Sequence, residues 1–457
     1  MIVIMRDFKG KKVAVIGLGI EGSSVVRFLQ DKDLEITIFD QKEEKDLDFK
    51  GIDKRNLKVI CGEKYLSGGL KNFDIIFRSQ GVKRHLPAIL EAEKAGVEIS
   101  SEIKLFFDLS PSKIIGVTGT KGKGTTSTLI SNILESAGYD VYLAGNIGIP
   151  RLDLLPRLKS TNWVVLELSS TQLIDLHKSP HIAVVLNITT DHLDWHRDRD
   201  EYVNSKTQIV KYQKDNDFAV LAYDYKDSRK FSKLTRGEVF YFSNSKKVNG
   251  AYVNNGRILL EIRNKKIEIG RVENLLLRGR HNWENVCAAV CASYLAGASI
   301  NSIKQTVFSF KGLEHRLELV GEVGGVKFYN DSFSTNPQTT IAAIKSFSEP
   351  ITLILGGSDK GLNYDEMAKE ITKSTVLNSI IIGDISKKIK KSLQKSGYKQ
   401  NITELGYPKT KKIIEEAVKV TPKGGIVLLS PAAASFDMFK DYKDRGNQFK
   451  EAVKSLR

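Results

Sequence analysis

The stretch Ile114-Ile-Gly-Val-Thr-Gly-Thr-Lys-Gly-Lys-Gly-Thr-Thr126 constrains the fold of this chain more than any other. A short apolar run ends in alternating glycines around Lys123, and a helical pattern over residues 126–138 follows. Glycines let backbone N–H groups turn toward an anion without a Cβ in the way, and the lysine adds a positive charge beside the N-terminal end of the helix. The pattern predicts a phosphate-binding cradle after a buried strand.

The cradle departs from the usual P-loop pattern at two positions. Val117 stands where that pattern has its first glycine, and Gly124 stands where it has Ser or Thr after the lysine. The mechanics are retained, because two threonines supply hydroxyls for a magnesium ion. A glycine-rich turn without a ligand is the alternative interpretation. Nucleotide binding is favoured, and the predicted ATP-binding residues here are Gly119, Thr120, Lys121, Gly122, Lys123, Gly124, Thr125 and Thr126.

Length and composition limit the class of protein. A chain of 457 residues exceeds one ordinary core, and a prior of about 150 residues per domain predicts three domains. The three cysteines give no disulfide framework, and the first residues are too short for a signal peptide. No apolar run approaches the roughly 20 residues of a membrane span. We therefore expect a protein of the reducing cytoplasm, without a membrane partner.

The formal net charge of +16 raises the question of nucleic acid. Lys and Arg are spread over the whole length and interleaved with Asp and Glu. The one dense run, residues 386–395, has the spacing of the polar face of a helix. These charges indicate a solvated surface, and no nucleic-acid partner is expected. The same field favours anionic small molecules.

The first α/β pattern opens with Lys12-Val-Ala-Val-Ile-Gly17-Leu-Gly19-Ile-Glu-Gly22, and Asp40 follows 18 residues after Gly22. A glycine fingerprint at the first turn of a βαβ unit, followed by an acid at this spacing, is typical of a site for a dinucleotide. An NAD-dependent dehydrogenase is therefore the first rival hypothesis.

The cradle strand begins a second α/β unit. Apolar runs at residues 163–167 and 183–189 suit a parallel sheet buried on both faces, and ligands bind such sheets where the strands end. Glu167 and His192 at adjacent strand ends suggest magnesium ligation beside a nucleotide triphosphate. A structural histidine is the alternative, and Lys206 on the following helix reads on its own as a surface lysine.

Two further regions follow. Short strands broken by charged pairs and by Asn254-Asn-Gly256 predict a small antiparallel subsheet between residues 217 and 269. A last α/β unit has strands at residues 326–330, 351–355, 379–383 and 425–429. Polar loops follow three of these strands, at residues 330–337, 356–361 and 430–435, and they make either a site or ordinary turns.

Side by side, these stretches resemble the Mur ligase family. The resemblance covers essentially the whole chain. It rests on Thr118-Gly-Thr-Lys-Gly-Lys123, Gly145-Asn-Ile-Gly148, Glu167-Leu-Ser-Ser-Thr-Gln-Leu173, Asn187-Ile-Thr-Thr-Asp-His192, His281-Asn-Trp-Glu-Asn285, His315-Arg316, Leu429-Ser-Pro-Ala-Ala-Ala-Ser-Phe-Asp437 and Arg445-Gly446.

The resemblance implies an ATP-dependent enzyme of peptidoglycan precursor synthesis, most like the members that join D-glutamate to UDP-N-acetylmuramoyl-L-alanine through an acyl phosphate. It implies an α/β fold of three domains. These are a Rossmann-like UDP-substrate domain at 1–110, a central P-loop-type ATP domain at 111–312 with the antiparallel subsheet, and a Rossmann-like amino-acid domain at 313–457. Expected further are Mg²⁺, a cytoplasmic monomer, and a role in cell-wall biogenesis, cell shape and cell division.

Residue roles follow from the same resemblance. The catalytic residues would be Lys123, Glu167, His192 and Lys206, and the metal ligands Thr125, Glu167, His192 and Lys206. Lys206 matches a lysine that is carboxylated by carbon dioxide, and a carbamate carries the negative charge that a metal site requires. ATP contacts outside the cradle would be Asn282, Asn285, Arg316 and Asp331. The UDP-substrate would contact Gly19, Ile20, Glu21, Asp40, Gln41, Ser79, Gly81 and Asn146. The amino acid would contact Thr335, Lys360, Ser435 and Tyr442.

The chain departs from the family pattern at several positions. Lys121 and Gly124 make the cradle closer to that of the related folylpolyglutamate synthases. A folylpolyglutamate synthase-like ligase, or a Mur ligase that adds a different amino acid, is therefore the alternative within this class. Glu21 stands where a neutral hydroxyl residue is expected, and Gln80 replaces the proline of a Ser-Pro-Gly turn. Phe333 replaces a lysine near the incoming amino acid. These departures concern substrate recognition rather than the ATP chemistry.

Overall fold

The computed structural model describes residues 8–145, 150–191 and 194–456. The chain divides into two compact units, one of Met1–Glu273 with Trp283–Val307 and one of Asn274–Asn282 with Phe308–Arg457. The first unit holds a five-stranded and a nine-stranded sheet, and the second holds a six-stranded sheet. Of the predicted site residues, Asn146 and His192 lie outside the described residues.

The first sheet is wholly parallel, with strand order β3-β2-β1-β4-β5. Its strands are β1 Lys12–Ile16, β2 Glu35–Asp40, β3 Leu57–Cys61, β4 Ile75–Arg78 and β5 Glu98–Ser100. The helices of this part are α1 Ile20–Leu29, α2 Pro87–Lys94 and α3 Glu102–Leu109. The predicted βαβ opening is confirmed: β1 pairs with β2 in parallel, and α1 connects them.

The nine-stranded sheet has the order β14-β13-β12-β11-β10-β9-β6-β8-β7. Its strands are β6 Lys113–Thr118, β7 Val141–Gly145, β8 Trp163–Glu167, β9 Ile182–Val185, β10 Phe218–Ala222, β11 Glu238–Ser243, β12 Gly250–Asn254, β13 Arg257–Ile262 and β14 Lys265–Arg271. The helices that follow them in the chain are α4 Lys123–Ser136, α5 Arg151–Leu154, α6 Ser170–Leu173, α7 Arg199–Lys211, α8 Lys226–Lys230, α9 Arg280–Leu295 and α10 Ile300–Ser309. The antiparallel pairs β12–β13 and β13–β14 form one edge of this sheet, and the strands from β12 across to β7 pair in parallel.

The six-stranded sheet has the order β15-β16-β20-β17-β18-β19, with only the pair β15–β16 antiparallel. Its strands are β15 Glu318–Val323, β16 Val326–Asn330, β17 Ile351–Gly356, β18 Val376–Ile382, β19 Asn401–Gly406 and β20 Ile426–Leu429. The helices of this part are α11 Pro337–Ile344, α12 Asp365–Thr372, α13 Ser386–Lys395, α14 Thr410–Val420 and α15 Tyr442–Lys454.

The buried strands explain why these sheets form. All residues of β8, β9 and β17 are buried, as expected for continuous apolar strands covered by helices on both faces. The α/β fold predicted from the apolar runs is confirmed. Helix α4 begins three residues before the predicted start, because Gly122 takes the N-cap position and Lys123 is already helical. No helix among the described residues is long and apolar enough to cross a membrane.

Candidate active site

The cradle, residues 119–126, leaves the carboxyl end of β6 and enters α4. Gly122 has φ 89° and is the N-cap of α4, and Gly119 has φ 153°. A Cβ atom on Gly119 would lie 2.7 Å from the Cβ of Leu186, and one on Gly122 would collide with the amide oxygen of Asn285. The backbone therefore takes a path that needs glycine at both positions, and it presents the N-terminal end of a 14-residue helix.

The loop after β9 holds the cradle in place. The backbone N–H of Thr120 donates to the carbonyl oxygen of Asn187 at 2.7 Å, and the N–H of Lys121 donates to the Asn187 side chain at 3.1 Å. The Thr120 hydroxyl lies 2.8 Å from the hydroxyl of Tyr202 and accepts from the N–H of Thr189 at 2.9 Å. Tyr202 is a contact that the sequence interpretation missed, and its position four residues before Lys206 on one helix is the signal that could have found it.

Two lysines from different helices, Lys123 of α4 and Lys206 of α7, contact the cradle. Lys123 Nζ donates to the carbonyl oxygens of Gly119 at 3.0 Å and Thr120 at 3.1 Å. Lys206 Nζ donates to the carbonyl oxygen of Gly119 at 3.2 Å and to the hydroxyl of Thr118 at 3.4 Å. Lys123 thus lies where its ammonium can neutralise an anion held by the backbone.

Lys206 is not a surface residue. Only 1% of it is exposed, and burial, followed by the charge of Lys123, holds the pKa of Lys206 well below its ordinary value of 10.5. Burial disfavours the ammonium form and so favours the neutral amine, which is the form that reacts with electrophiles. A carbamate formed there would place a negative charge beside the cradle.

Glu167 ends β8, the strand next to β6, and is paired in register with Val117. Its residue is 5% exposed, so the carboxylate is close to the cradle strand and largely shielded from water. Asp191 lies exposed on the loop after β9. Within the described ranges, no group of three or more His, Cys, Asp and Glu could hold a metal by itself. A Mg²⁺ ion would suit this donor set only with additional oxygens from phosphate and water, which is its usual coordination.

Asn285 on α9 joins the cradle to that helix. Its amide oxygen accepts from the Thr126 hydroxyl at 3.3 Å and occupies the space beside Gly122. Asn282, three residues earlier in the chain, donates to the carbonyl oxygen of Arg278 at 2.7 Å.

The first sheet presents a second glycine turn. Gly17 has φ 85°, and the N–H of Leu18 donates to Asp40 Oδ2 at 2.7 Å, so the acid at the end of β2 fixes the turn. Gly19 is the N-cap of α1, and it lines a cleft of about 730 Å³ together with Ile20 and Asp40. Ile20 is 77% exposed. A cleft at a helix N-terminus, with an acid at the neighbouring strand end, suits a nucleotide diphosphate.

The other predicted UDP-substrate contacts lie around this turn. Ser79 follows β4 and donates its hydroxyl to the carbonyl oxygen of Gly17 at 2.7 Å. Gln41 and Gly81 are exposed. Glu21 differs from them, because only 9% of it is exposed and its carboxylate accepts from Gln172 and Arg151 in the interior. Its predicted contact with the substrate would have to come from its backbone.

In the six-stranded sheet, the three polar loops meet at one edge because β16, β20 and β17 are adjacent and parallel. The N–H of Ala432 donates to the carbonyl oxygen of Ser334 at 3.0 Å, and the N–H of Ser358 donates to that of Ala434 at 2.9 Å. Arg445, 1% exposed, donates to the carbonyl oxygens of Ser332 at 2.9 Å and Ala433 at 3.1 Å. Sequence interpretation gave Arg445 no role, although it buttresses two of the loops.

Asp331 lies at the end of β16 and is 5% exposed. Its carboxylate accepts from the hydroxyls of Ser334 at 2.5 Å and Ser430 at 2.8 Å, and burial raises its pKa to about 6. The guanidinium of Arg316 lies 3.8 Å from the centre of the Phe333 ring. Phe333 in turn meets Tyr442 edge-on, with ring centres 5.1 Å apart.

The predicted amino-acid contacts share this edge but differ in exposure. Ser435 is 2% exposed, Thr335 and Tyr442 are half-buried, and Lys360 is exposed on the loop after β17. Lys360, which could pair with a substrate carboxylate, is thus accessible to solvent. The hydroxyl groups of Thr335, Ser435 and Tyr442 belong to residues that are partly or fully buried. The edge can hold a small anion with one flexible cation.

Comparison with known proteins assigns the same three regions to one kind of enzyme. Family models match residues 11–101 as "Mur ligase MurD-like, N-terminal domain", residues 117–293 as "Mur ligase middle domain", and residues 315–433 as "Mur ligase, glutamate ligase domain". The UDP-N-acetylmuramoylalanine--D-glutamate ligase of Acetivibrio thermocellus is 41% identical over 465 residues, which cover 99% of this chain and 98% of that protein. The ligase of that name from Ruminiclostridium cellulolyticum is 38% identical over 459 residues, with the same coverage.

Solved structures agree on the fold. UDP-N-acetylmuramate-alanine ligase MurC from Thermotoga maritima has a TM-score of 0.60 at 18% identity, covering 98% of this chain and 100% of that one. The MurF ligase from Thermotoga maritima, solved in complex with ADP, has a TM-score of 0.56 at 17% identity, covering 98% and 96%. At this identity the likeness concerns the fold alone.

Proposed function

This chain belongs to the Mur ligase family, and from that premise we propose that it is the ATP-dependent ligase that joins D-glutamate to UDP-N-acetylmuramoyl-L-alanine in peptidoglycan precursor synthesis. The family predicted from the sequence motifs is confirmed by relatives that are 36–41% identical over nearly the whole chain. The single observation that carries the proposal is the glycine cradle with Lys123 at the head of α4, beside the strand that ends in Glu167.

The proposed reaction has two steps. The terminal carboxylate of the sugar peptide attacks the γ-phosphorus of ATP, forming an O–P bond as the bond to ADP breaks. The amine of D-glutamate then attacks the carbonyl carbon of the acyl phosphate, and inorganic phosphate leaves as the nitrogen loses a proton. Both steps gather negative charge on oxygen, so positioning and charge neutralisation are the main demands on the protein.

The cradle supports the first step. Backbone N–H groups at the start of α4 and the ammonium of Lys123 would hold the phosphates of ATP. Mg²⁺ supplies Lewis-acid neutralisation when it is bound, and Thr125, Glu167, His192 and Lys206 are the residues proposed to hold it. Carboxylation of Lys206 is part of the proposal. Its support is the buried amine and the lowered pKa of Lys206, caused by burial and then by Lys123.

The remaining sites stay as predicted from the sequence. The first domain, residues 1–110, would bind the UDP-substrate at the cleft lined by Gly19, Ile20 and Asp40. The third, residues 313–457, would bind the amino acid at the loops that carry Thr335, Lys360, Ser435 and Tyr442. The ATP contacts assigned to Asn282, Arg316 and Asp331 remain predictions. We place the reaction in the cytoplasm, by a monomer, and expect cell shape and division to depend on it.

One assay separates the alternatives. Phosphate release from ATP is measured with UDP-N-acetylmuramoyl-L-alanine plus D-glutamate, with a dihydrofolate or pteroate acceptor plus L-glutamate, and with NAD reduction as a third arm. We expect phosphate release in the first arm only. Release in the second arm would indicate a folylpolyglutamate synthase-like ligase, and nicotinamide reduction would indicate a dehydrogenase.

A further inference from the structure

Four polar side chains from four helices meet in the interior of the first compact unit. They are Glu21 of α1, Glu102 of α3, Arg151 of α5 and Gln172 of α6, and Glu21 is the most exposed of them at 9%. Arg151 forms ion pairs with both carboxylates, and its Nε donates to Glu102 at 2.5 Å. Gln172 Nε2 donates to Glu21 Oε1 at 2.7 Å. A buried carboxylate needs such partners, because burial without them disfavours the charged form.

The second oxygen of Glu21 is taken by a backbone group. The N–H of Gln80 donates to Glu21 Oε2 at 3.0 Å, and Gln80 Oε1 accepts from the Ser169 hydroxyl at 3.3 Å. A proline at position 80 has no N–H and would leave this oxygen without its donor. One hydrogen bond therefore links Glu21 and Gln80.

Glu21 joins parts of the molecule that serve different substrates under the proposed function. It lies in the first turn of α1, directly after Gly19 and Ile20, which line the cleft. Its partner Gln172 closes a capping box with Ser169 at the start of α6, just after Glu167 at the end of β8. A single carboxylate, carried by the residue after Ile20, thus contacts the segment that follows the cradle's neighbouring strand.

The burial of Glu21 argues against direct contact between its carboxylate and a nucleotide diphosphate. Both oxygens already accept hydrogen bonds from Gln80, Gln172 and Arg151. An exposed carboxylate would repel a diphosphate, whereas here Arg151 compensates the charge. Burial raises the pKa of Glu102 even though Arg151 opposes the shift. Burying these carboxylates therefore costs free energy unless the neighbouring groups keep their ion pairs and hydrogen bonds in place.

We propose that Glu21 is a positioning residue, which through Arg151, Gln172 and Gln80 fixes the sugar-nucleotide turn relative to the edge that carries Glu167. The proposal rests on the proposed function for the identity of the two substrates. Reaction between two bound substrates depends on their mutual placement, so loosening this link affects the step that needs both of them, more than the affinity for ATP.

The chain supplies a matched control. Arg27 and Asp153 form another ion pair between the same two helices, α1 and α5, but their side chains are 29% and 31% exposed. Such a pair contributes little, because water screens it. Asp153→Asn therefore tests the loss of a charge between these helices without touching the buried cluster.

The experiment compares Glu21→Gln, Gln80→Pro, the double variant and Asp153→Asn. Kinetics are measured below the melting temperature of each, with Kd for UDP-N-acetylmuramoyl-L-alanine determined by calorimetry without ATP. We expect Glu21→Gln and Gln80→Pro each to lower kcat/KM for this acceptor by about tenfold to a hundredfold. The KM for ATP should stay within about twofold, and Asp153→Asn should match the wild type. The double variant should be no worse than the poorer single variant, because both changes break one link.

Two results overturn the proposal. Wild-type kinetics in both Glu21→Gln and Gln80→Pro would show that the cluster positions nothing. Losses that multiply in the double variant would show that Glu21 and Gln80 act separately, as independent contacts with the substrate would. If Glu21→Gln fails to fold, Gln80→Pro, which removes the N–H donor to Glu21 and the side-chain acceptor of the Ser169 hydroxyl, is judged by its own kinetics.

A failure of the proposed function gives a different result. Wild-type protein would then release no phosphate with UDP-N-acetylmuramoyl-L-alanine and D-glutamate. The melting temperatures of the four variants still test the link without any substrate. Non-additive decreases for positions 21 and 80, with no decrease for Asp153→Asn, support it, and additive decreases overturn it.

Discussion

Lys123 and Lys206 converge on one acceptor, the carbonyl oxygen of Gly119, at 3.0 Å and 3.2 Å. Two ammonium groups this close repel each other. Burial, and after it the charge of Lys123, therefore lowers the pKa of Lys206. The cradle therefore combines Lys123 with a second, buried lysine whose ammonium form is disfavoured. The two lysines are expected to respond differently to substitution.

Lys123→Ala should reduce ligation at saturating ATP by at least about a hundredfold, because an electrostatic partner of the transferred phosphoryl group is lost. Lys113→Ala is the matched control, since Lys113 starts the same strand, β6, and is exposed at its opposite end. Steady-state phosphate release measures both. Near wild-type ligation by Lys123→Ala would contradict the assignment of the cradle.

Lys206→Ala should be nearly inactive, with partial recovery in the presence of small carboxylates that replace the carbamate. Lys211→Ala, at the exposed end of α7, should keep wild-type activity. Assays with and without added bicarbonate measure the carbon-dioxide requirement. Full activity of Lys206→Ala in carbon-dioxide-depleted buffer would rule out a carbamate role.

Gly122→Ala should destabilise the cradle more than its backbone angle alone requires. Gly122 and Gly138 flank α4 with φ 89° and 87°, but a Cβ on Gly138 meets nothing within 4 Å, whereas one on Gly122 collides with Asn285. A left-handed alanine costs about 1 to 2 kcal/mol, so Gly138→Ala reports that cost and Gly122→Ala should exceed it. Thermal unfolding and ATP binding are the measurements. Equal losses in both variants would show that the cradle can relax around a side chain.

Lys360→Ala should raise the KM for D-glutamate by about one to two decades, since a charge-assisted pair contributes roughly 1.5 to 3 kcal/mol. Lys387→Ala, an exposed lysine on α13, is its control. A panel of D- and L-amino acids should give the highest kcat/KM with D-glutamate. Preference for a neutral or basic amino acid would indicate that this edge, where Phe333 lies against Arg316 and Tyr442, selects a different substrate.

Asp331→Asn should change the pH dependence of stability. Burial raises the pKa of Asp331 from 3.8 to about 6, so the folded state holds this proton more tightly than the unfolded chain does. Its stabilising contribution is complete below the unfolded pKa and is lost as the pH rises through about 6. Relative to wild type, the variant should therefore gain about 2 kcal/mol between about pH 4.5 and 7.5. Denaturant unfolding at each pH measures this, and a constant difference would contradict the raised pKa.

The sequence by itself determined the parts whose physics is local. Apolar runs fixed the buried parallel strands, glycines with positive φ marked the turns at Gly17 and Gly122, and Lys123 followed its cradle directly in the chain. The predicted start of α4 was three residues too late, because a glycine with positive φ can occupy the N-cap without a capping side chain that the sequence would show.

Tertiary structure decided everything that depends on partners distant in the chain. Lys206 reads on its own as a surface lysine, but α7 buries it against Gly119. The ion pair of Glu21 with Arg151 likewise joins residues that are far apart in the chain. The same holds for the three loops of the last sheet, which meet only because β20 lies between β16 and β17. Burial and ion pairing depend on which side chains packing brings together, and local sequence pattern does not encode that choice.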